Sequence, residues 1–182
     1  MSIKITNGNA AVEVAPQFSA ERMVEVQRII NQYPEGKHKS ALMRILHMAE
    51  EDFGGWLSVP TMNYVAGILN IQPIEVYEVA TFYTMFNIEK PGNVVLEVCR
   101  TGPCMLVGSD NIIDHLKQQL GVEVGGTSAD GMFTLKTAEC LGACGYGPML
   151  QCGKHYHEHL TTEKVDALLD AFRKEHSTSS NN

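Results

Sequence analysis

VVLEVCRTGPC, Val94 to Cys104, joins an apolar run of strand length to a loop carrying two thiols. FTLKTAE, Phe133 to Glu139, has the same β-type pattern and leads into ECLGACGYGP, Glu139 to Pro148, with two more thiols. Between the two strands, Ser109 to Leu120 predicts a helix with Ile112, Ile113, Leu116 and Leu120 on one face, followed by a polar, glycine-rich connection from Gly121 to Gly131. Two consecutive strands joined through a helix are parallel neighbours with a right-handed crossover, and this places both cysteine loops at one edge of the sheet. Further on, MLQCGKHYHEHL predicts two short strands turning near Gly153-Lys154, and Thr161 caps a last helix carrying Val165, Leu168, Leu169 and Phe172.

Ahead of Lys90-Pro91-Gly92-Asn93 the regime is helical. Ser19 caps a helix whose stripe is Met23, Val26, Ile30 and Tyr33, and a second stripe runs Leu42, Ile45, Leu46, Ala49 and Phe53 until Gly54-Gly55. A third follows Pro60 with Met62, Val65, Ala66 and Leu69, and Asn70 is suited to the left-handed closing position. The fourth, opened by Pro73, is apolar on nearly every side from Ile74 to Phe86, which predicts cover on all sides, either within the bundle or by a partner protein. The fold class expected is therefore α+β: a helical bundle over 18–90, then over 91–174 an α/β domain with a small four-stranded mixed sheet, in the order of a thioredoxin-like layer. Residues 1–17 read as a flexible lead-in and 175–182 as a disordered tail.

The bulk figures narrow the function classes. Fourteen basic against 21 acidic residues give a formal charge of -7, which opposes nucleic-acid binding and favours protein partners. No apolar run approaches the ~20 residues of a membrane helix, and the N-terminus lacks a secretory pattern, so the chain reads as cytoplasmic without direct membrane insertion. In a reducing compartment an odd count of five cysteines points to metal or redox chemistry rather than disulfides.

Four of the five thiols form C-x4-C (Cys99, Cys104) and C-x3-C (Cys140, Cys144), separated by the 35 residues 105–139. Brought to one sheet edge, they make a four-thiolate site for iron-sulfur or zinc. The longer loops, rich in Gly102, Gly142, Ala143, Gly145 and Gly147, favour a two-iron cluster approached by backbone N–H groups, although zinc stays open on spacing alone. Arg100 is expected to favour the reduced cluster, and Met105, Leu106, Pro148 and Met149 to keep water off one side. Cys152 reads as a buried, inert thiol, and His155, His157 and His159 as a solvated row on one strand face rather than a metal site. With no GxGxxG turn, phosphate loop or Ser/His/Asp set, no catalytic residue is expected, and any nucleotide or flavin must bind on a partner.

VCRTGPCMLVGS and ECLGACGYGPML, together with GGWLS (Gly54 to Ser58), VATFYTMF (Val79 to Phe86) and DGMFTL (Asp130 to Leu135), resemble the thioredoxin-like 2Fe-2S subunit of NADH:quinone oxidoreductase, respiratory complex I, over about residues 18 to 173. The resemblance implies one [2Fe-2S] cluster ligated by Cys99, Cys104, Cys140 and Cys144. It also implies a one-electron role beside the FMN of the NADH-binding partner subunit, an adjacent iron-sulfur subunit, and a place in the peripheral arm of a membrane-bound complex. The chain departs from the family pattern at Glu78, where many relatives carry Gly, and at Gly147-Pro148, where they carry Ala-Pro. A diaphorase subunit of an NAD-linked hydrogenase or formate dehydrogenase would share these motifs, and a structural zinc-binding adaptor is the alternative of another class.

Overall fold

A computed structural model describes residues 16–179, and the chain divides into two compact units, one ending at Lys90 and the other starting at Pro91. The expected lead-in, apart from Pro16 and Gln17, and the last three residues lie outside the described range.

The first unit is built by local rules. α1 (Ala20–Ile30) starts where the Ser19 side chain accepts from the Arg22 N–H at 3.1 Å. α2 (Leu42–Asp52) follows a short 3-10 turn, His38–Ala41. α3 (Val59–Leu69) is capped by Ser58, carries Pro60 in its first turn and ends on Asn70 in the left-handed region at φ 51°, ψ 47°. α4 is Pro73–Phe82. Val26, Ile45, Leu46, Val65 and Val76 are fully buried where the apolar stripes meet. Arg22 binds α1 to the end of α2 through Asp52, at 2.7 and 2.6 Å, and Glu51, at 3.0 Å.

The apolar helix from Pro73 differs from the expectation in two ways. It stops at Phe82, with Tyr83 extended, instead of continuing through Phe86. Asn87 explains the break: it accepts from the Leu57 N–H at 2.7 Å through its carbonyl and donates its side-chain amide to the Gly55 carbonyl at 3.0 Å, pulling the chain back so that Phe86 buries against His47. Within this unit α4 is also not covered all round, because Val76 and Ala80 are buried while Ile74 and Phe82 are 60% and 77% exposed.

In the second unit β1 (Val94–Cys99) pairs in parallel with β2 (Phe133–Ala138), from Val94 opposite Phe133 to Cys99 opposite Ala138. The crossover carries the single turn α5 (Pro103–Leu106) and the longer α6 (Ser109–Leu120). β3 (Leu150–Cys152) runs antiparallel to β1 and β4 (His155–His157) antiparallel to β3, giving the order β2-β1-β3-β4. Leu96, Phe133, Leu135, Leu116, Leu150 and Val165 are fully buried in the core. Gly92 has no room for a side chain: a Cβ there would lie 2.9 Å from the carbonyl oxygens of Gly131 and Met132, so the chain enters β1 pressed against the start of β2.

Two boundaries move. Cys99 is the last residue of β1 rather than the first of the loop, and α7 (Thr162–Ser179) runs helical through 175–179, which the sequence assigns to the tail. Asn70 lends itself to a direct check. Asn70→Ala is expected to lower stability by about 1 kcal/mol, and Asn70→Gly to leave it unchanged or raise it, in urea denaturation; equal losses would mean that the left-handed conformation does not govern this helix end.

Candidate functional site

Parallel pairing delivers the thiols. Cys99 closes β1 opposite Ala138, the last residue of β2, and Cys140 follows two residues later, so both loops leave the same edge of the sheet. Gly102, at φ 53° and ψ −121°, turns the first loop back into α5, whose second residue is Cys104. In the second loop Cys144 opens a 3-10 turn, Cys144–Tyr146. Cys99 and Cys104 pack with Met149 in a small buried cluster, with Leu141 and Ala143 of the other loop against it. The result is an inner pair, Cys99 and Cys104, and an exposed outer pair, Cys140 and Cys144.

Burial foremost, then hydrogen bonding with Cys99 and the negative charge of Cys99, Cys144 and Cys140, pushes the Cys104 thiol up to about 11. The other three sulfurs thus lie within electrostatic reach of Cys104, and thiolates gathered there would need a cationic centre to hold them. The backbone suits soft, charged sulfur: Gly142 N–H donates to Cys140 Sγ at 3.3 Å, and Gly147 passes so close that a Cβ would lie 3.1 Å from Cys104 Sγ. Among the described residues no three His, Cys, Asp or Glu side chains are grouped to hold a single metal ion; the thiols stand as two pairs. The donor set and its N–H contact fit a two-iron cluster.

Other expectations are corrected. Met149 is fully buried against the inner pair, whereas Met105 and Leu106 are 49% and 81% exposed and lie outside that buried cluster. Arg100, expected to favour the reduced cluster, has an acidic partner. Its Nε and Nη2 donate to Glu139 Oε1 at 3.0 and 2.6 Å, and the Glu139 carboxyl is held below its usual range by that contact. Cys152 is half-buried in β3 rather than fully buried; desolvation, then Glu175 and Glu97, raise its pKa, which keeps it protonated. The histidine row is broken, because β4 ends at His157 and His159 lies beyond it at φ 48°, its ring 5.7 Å from Tyr146. Two residues that sequence reasoning passed over help to build the site: Glu139, and Tyr156, whose hydroxyl donates to the Leu141 carbonyl at 2.8 Å. A signal for Glu139 was present, since opposite charges flank Cys99 and Cys140 at the ends of two strands that the pattern reads as parallel.

The chain is thus of the class of proteins in which a thioredoxin-like sheet carries paired thiols at the ends of two parallel strands. The family model for thioredoxin-like [2Fe-2S] ferredoxins matches residues 26–173, and the chain belongs to that family. It is 39% identical over 175 residues to an NADH-quinone oxidoreductase subunit of Rickettsia conorii, covering 96% of this chain and all of that protein. To the mitochondrial NADH dehydrogenase [ubiquinone] flavoprotein 2 of Dictyostelium discoideum it is 44% identical over 161 residues, covering 88% of this chain and 65% of that protein. Among solved structures, an air-oxidised NAD+-reducing [NiFe]-hydrogenase shares the fold with a TM-score of 0.65 at 19% identity, over 74% of this chain and 23% of that one.

The inner and outer pairs are expected to differ in reactivity. In metal-free, reduced protein near neutral pH, iodoacetamide should label Cys140 and Cys144 first and Cys104 slowest, with Cys104 accelerating as pH rises toward about 11, by peptide mass spectrometry. Labelling of Cys104 as fast as Cys140 would contradict the burial described.

Proposed function

We propose that this chain is an electron-transfer subunit of NADH:quinone oxidoreductase that holds one [2Fe-2S] cluster on Cys99, Cys104, Cys140 and Cys144. The observation that carries this reading is the convergence of two thiol pairs at one rim of a parallel strand pair, in a chain similar to the Rickettsia conorii oxidoreductase subunit over that protein's whole length. When bound, such a cluster supplies a one-electron store. The chain's own residues divide the work. Cys99 and Cys104, buried with Met149, give the centre a dry side, whereas Cys140 and Cys144 bring its other side to the surface, within reach of a partner's cofactor. The Gly142 N–H offsets negative charge on Cys140.

In this reading the reductant is the FMN of the NADH-binding partner subunit, giving up one electron at a time, and this chain binds neither FMN nor NADH. The helical unit, with Ile74 and Phe82 exposed, serves the flavin-bearing and neighbouring iron-sulfur subunits as a docking element. No helix among the described residues is long and apolar enough to cross a membrane, which accords with a place in the peripheral, cytoplasmic arm. Identity of 39% across the full length of a quinone-oxidoreductase component favours the quinone-linked complex over an NAD-linked hydrogenase or formate dehydrogenase.

Anaerobic purification tests the cluster. The expected product is coloured, contains two irons per chain and gives an EPR signal on reduction. Cys140→Ser should lower iron content and visible absorbance, whereas Cys152→Ser should leave both unchanged. A folded, colourless chain with stoichiometric zinc would overturn the reading in favour of a structural zinc adaptor.

A further inference from the structure

We infer that Arg100 and Glu139 form a clamp that holds the two ligand loops together, and that their opposite charges set the reduction potential of the site in opposite directions. The inference rests on the [2Fe-2S] reading above and concerns two side chains that would not themselves ligate iron.

Register dictates the contact. Cys99 lies opposite Ala138 at the end of the ladder, and one further main-chain bond, Arg100 N–H to the Ala138 carbonyl at 3.2 Å, joins the loops beyond it. After that bond the main chains part, one toward α5 and the other into the Gly142 turn. The Arg100–Glu139 pair spans the place where they separate. Arg100 uses two nitrogens on Oε1, and the Thr101 hydroxyl donates to Oε2 at 3.2 Å, so both carboxylate oxygens are engaged from the other loop. One partner immediately follows Cys99 and the other immediately precedes Cys140. The clamp therefore joins a residue beside an inner ligand to a residue beside an outer one.

The second loop has another tether, from Tyr156 to the Leu141 carbonyl, which carries no charge. The molecule thereby supplies its own control. Loosening the loop at Tyr156 alters its mobility alone, while loosening it at Arg100 or Glu139 also removes a charge next to a centre that becomes one unit more negative on reduction. A lost positive charge disfavours the reduced state and a lost negative charge favours it. The pair is exposed, at 52% and 74%, so these effects are screened by salt and the gain in retention is modest.

The test uses the full chain with its cluster loaded anaerobically, in four variants. Loss of visible absorbance to a chelator measures retention, and an EPR-monitored redox titration at low and high salt measures the potential. R100Q and E139Q are expected to lose the cluster about two- to fivefold faster than the parent chain. R100Q should lower the potential and E139Q raise it, with both shifts shrinking at high salt. Y156F should hasten loss without moving the potential. The exchanged double variant R100E/E139R should bring retention back toward the parent. Potentials that move together or not at all in the two single variants, or a double variant no better than the singles, would overturn the clamp. A parent chain that takes up no iron would instead overturn the cluster reading itself, so the two failures are distinguishable.

Discussion

Everything at the thiol rim depends on parallel pairing of β1 and β2 in one register. Six consecutive residue pairs, from Val94 with Phe133 to Cys99 with Ala138, fix where each strand ends relative to the other. A slip of β1 by one residue would turn Cys99 to the other face of the sheet and carry Leu96 out of the core. Burial of Leu96, Phe133 and Leu135 therefore fixes chemistry as well as stability, because the apolar faces that hold the register also decide which sulfurs meet. Gly92 adds a steric lock at the far end of the ladder, where no side chain larger than hydrogen fits without moving the Gly131–Met132 backbone.

Much of this was legible before any coordinates. The periodicity around Val26, Ile45, Val65 and Leu116 marked helix faces that are indeed buried, and Ser19, Pro60 and Asn70 marked helix ends, because capping is a local interaction and local interactions leave local sequence signals. The thiol pairs were legible for the same reason, together with the rule that a strand-helix-strand unit is parallel. What escaped was non-local. Apolar character between Ile74 and Phe86 could not say that Asn87 would bond to the Gly54–Leu57 turn and end the helix early. An isolated arginine beside a cysteine looks like a free charge until the register brings Glu139 opposite it, and the histidine alternation lost its third member to a left-handed residue.

The site is also asymmetric in its surroundings. One thiol pair is enclosed by Met149 and by the second loop, and the other faces solvent, with the exposed Tyr146 in the same short turn as Cys144. Enclosure raises the cost of charge on sulfur, as Cys104 demonstrates, while the Gly142 N–H and the outer pair's access to water lower it on the other side. One short loop, from Cys140 to Gly147, thus has to meet two demands: it lays Leu141 and Ala143 over the enclosed pair, and it presents its own thiols outward.

The crossover between the strands has a temporal consequence. A ribosome emits Cys99 and Cys104 well before Cys140 and Cys144, because all of α6 and the segment up to β2 must be synthesised in between. A nascent chain therefore displays half of its sulfur set with neither the second strand nor the covering loop in existence. The half born first, and open to the cell at that moment, is the half the finished protein encloses most completely.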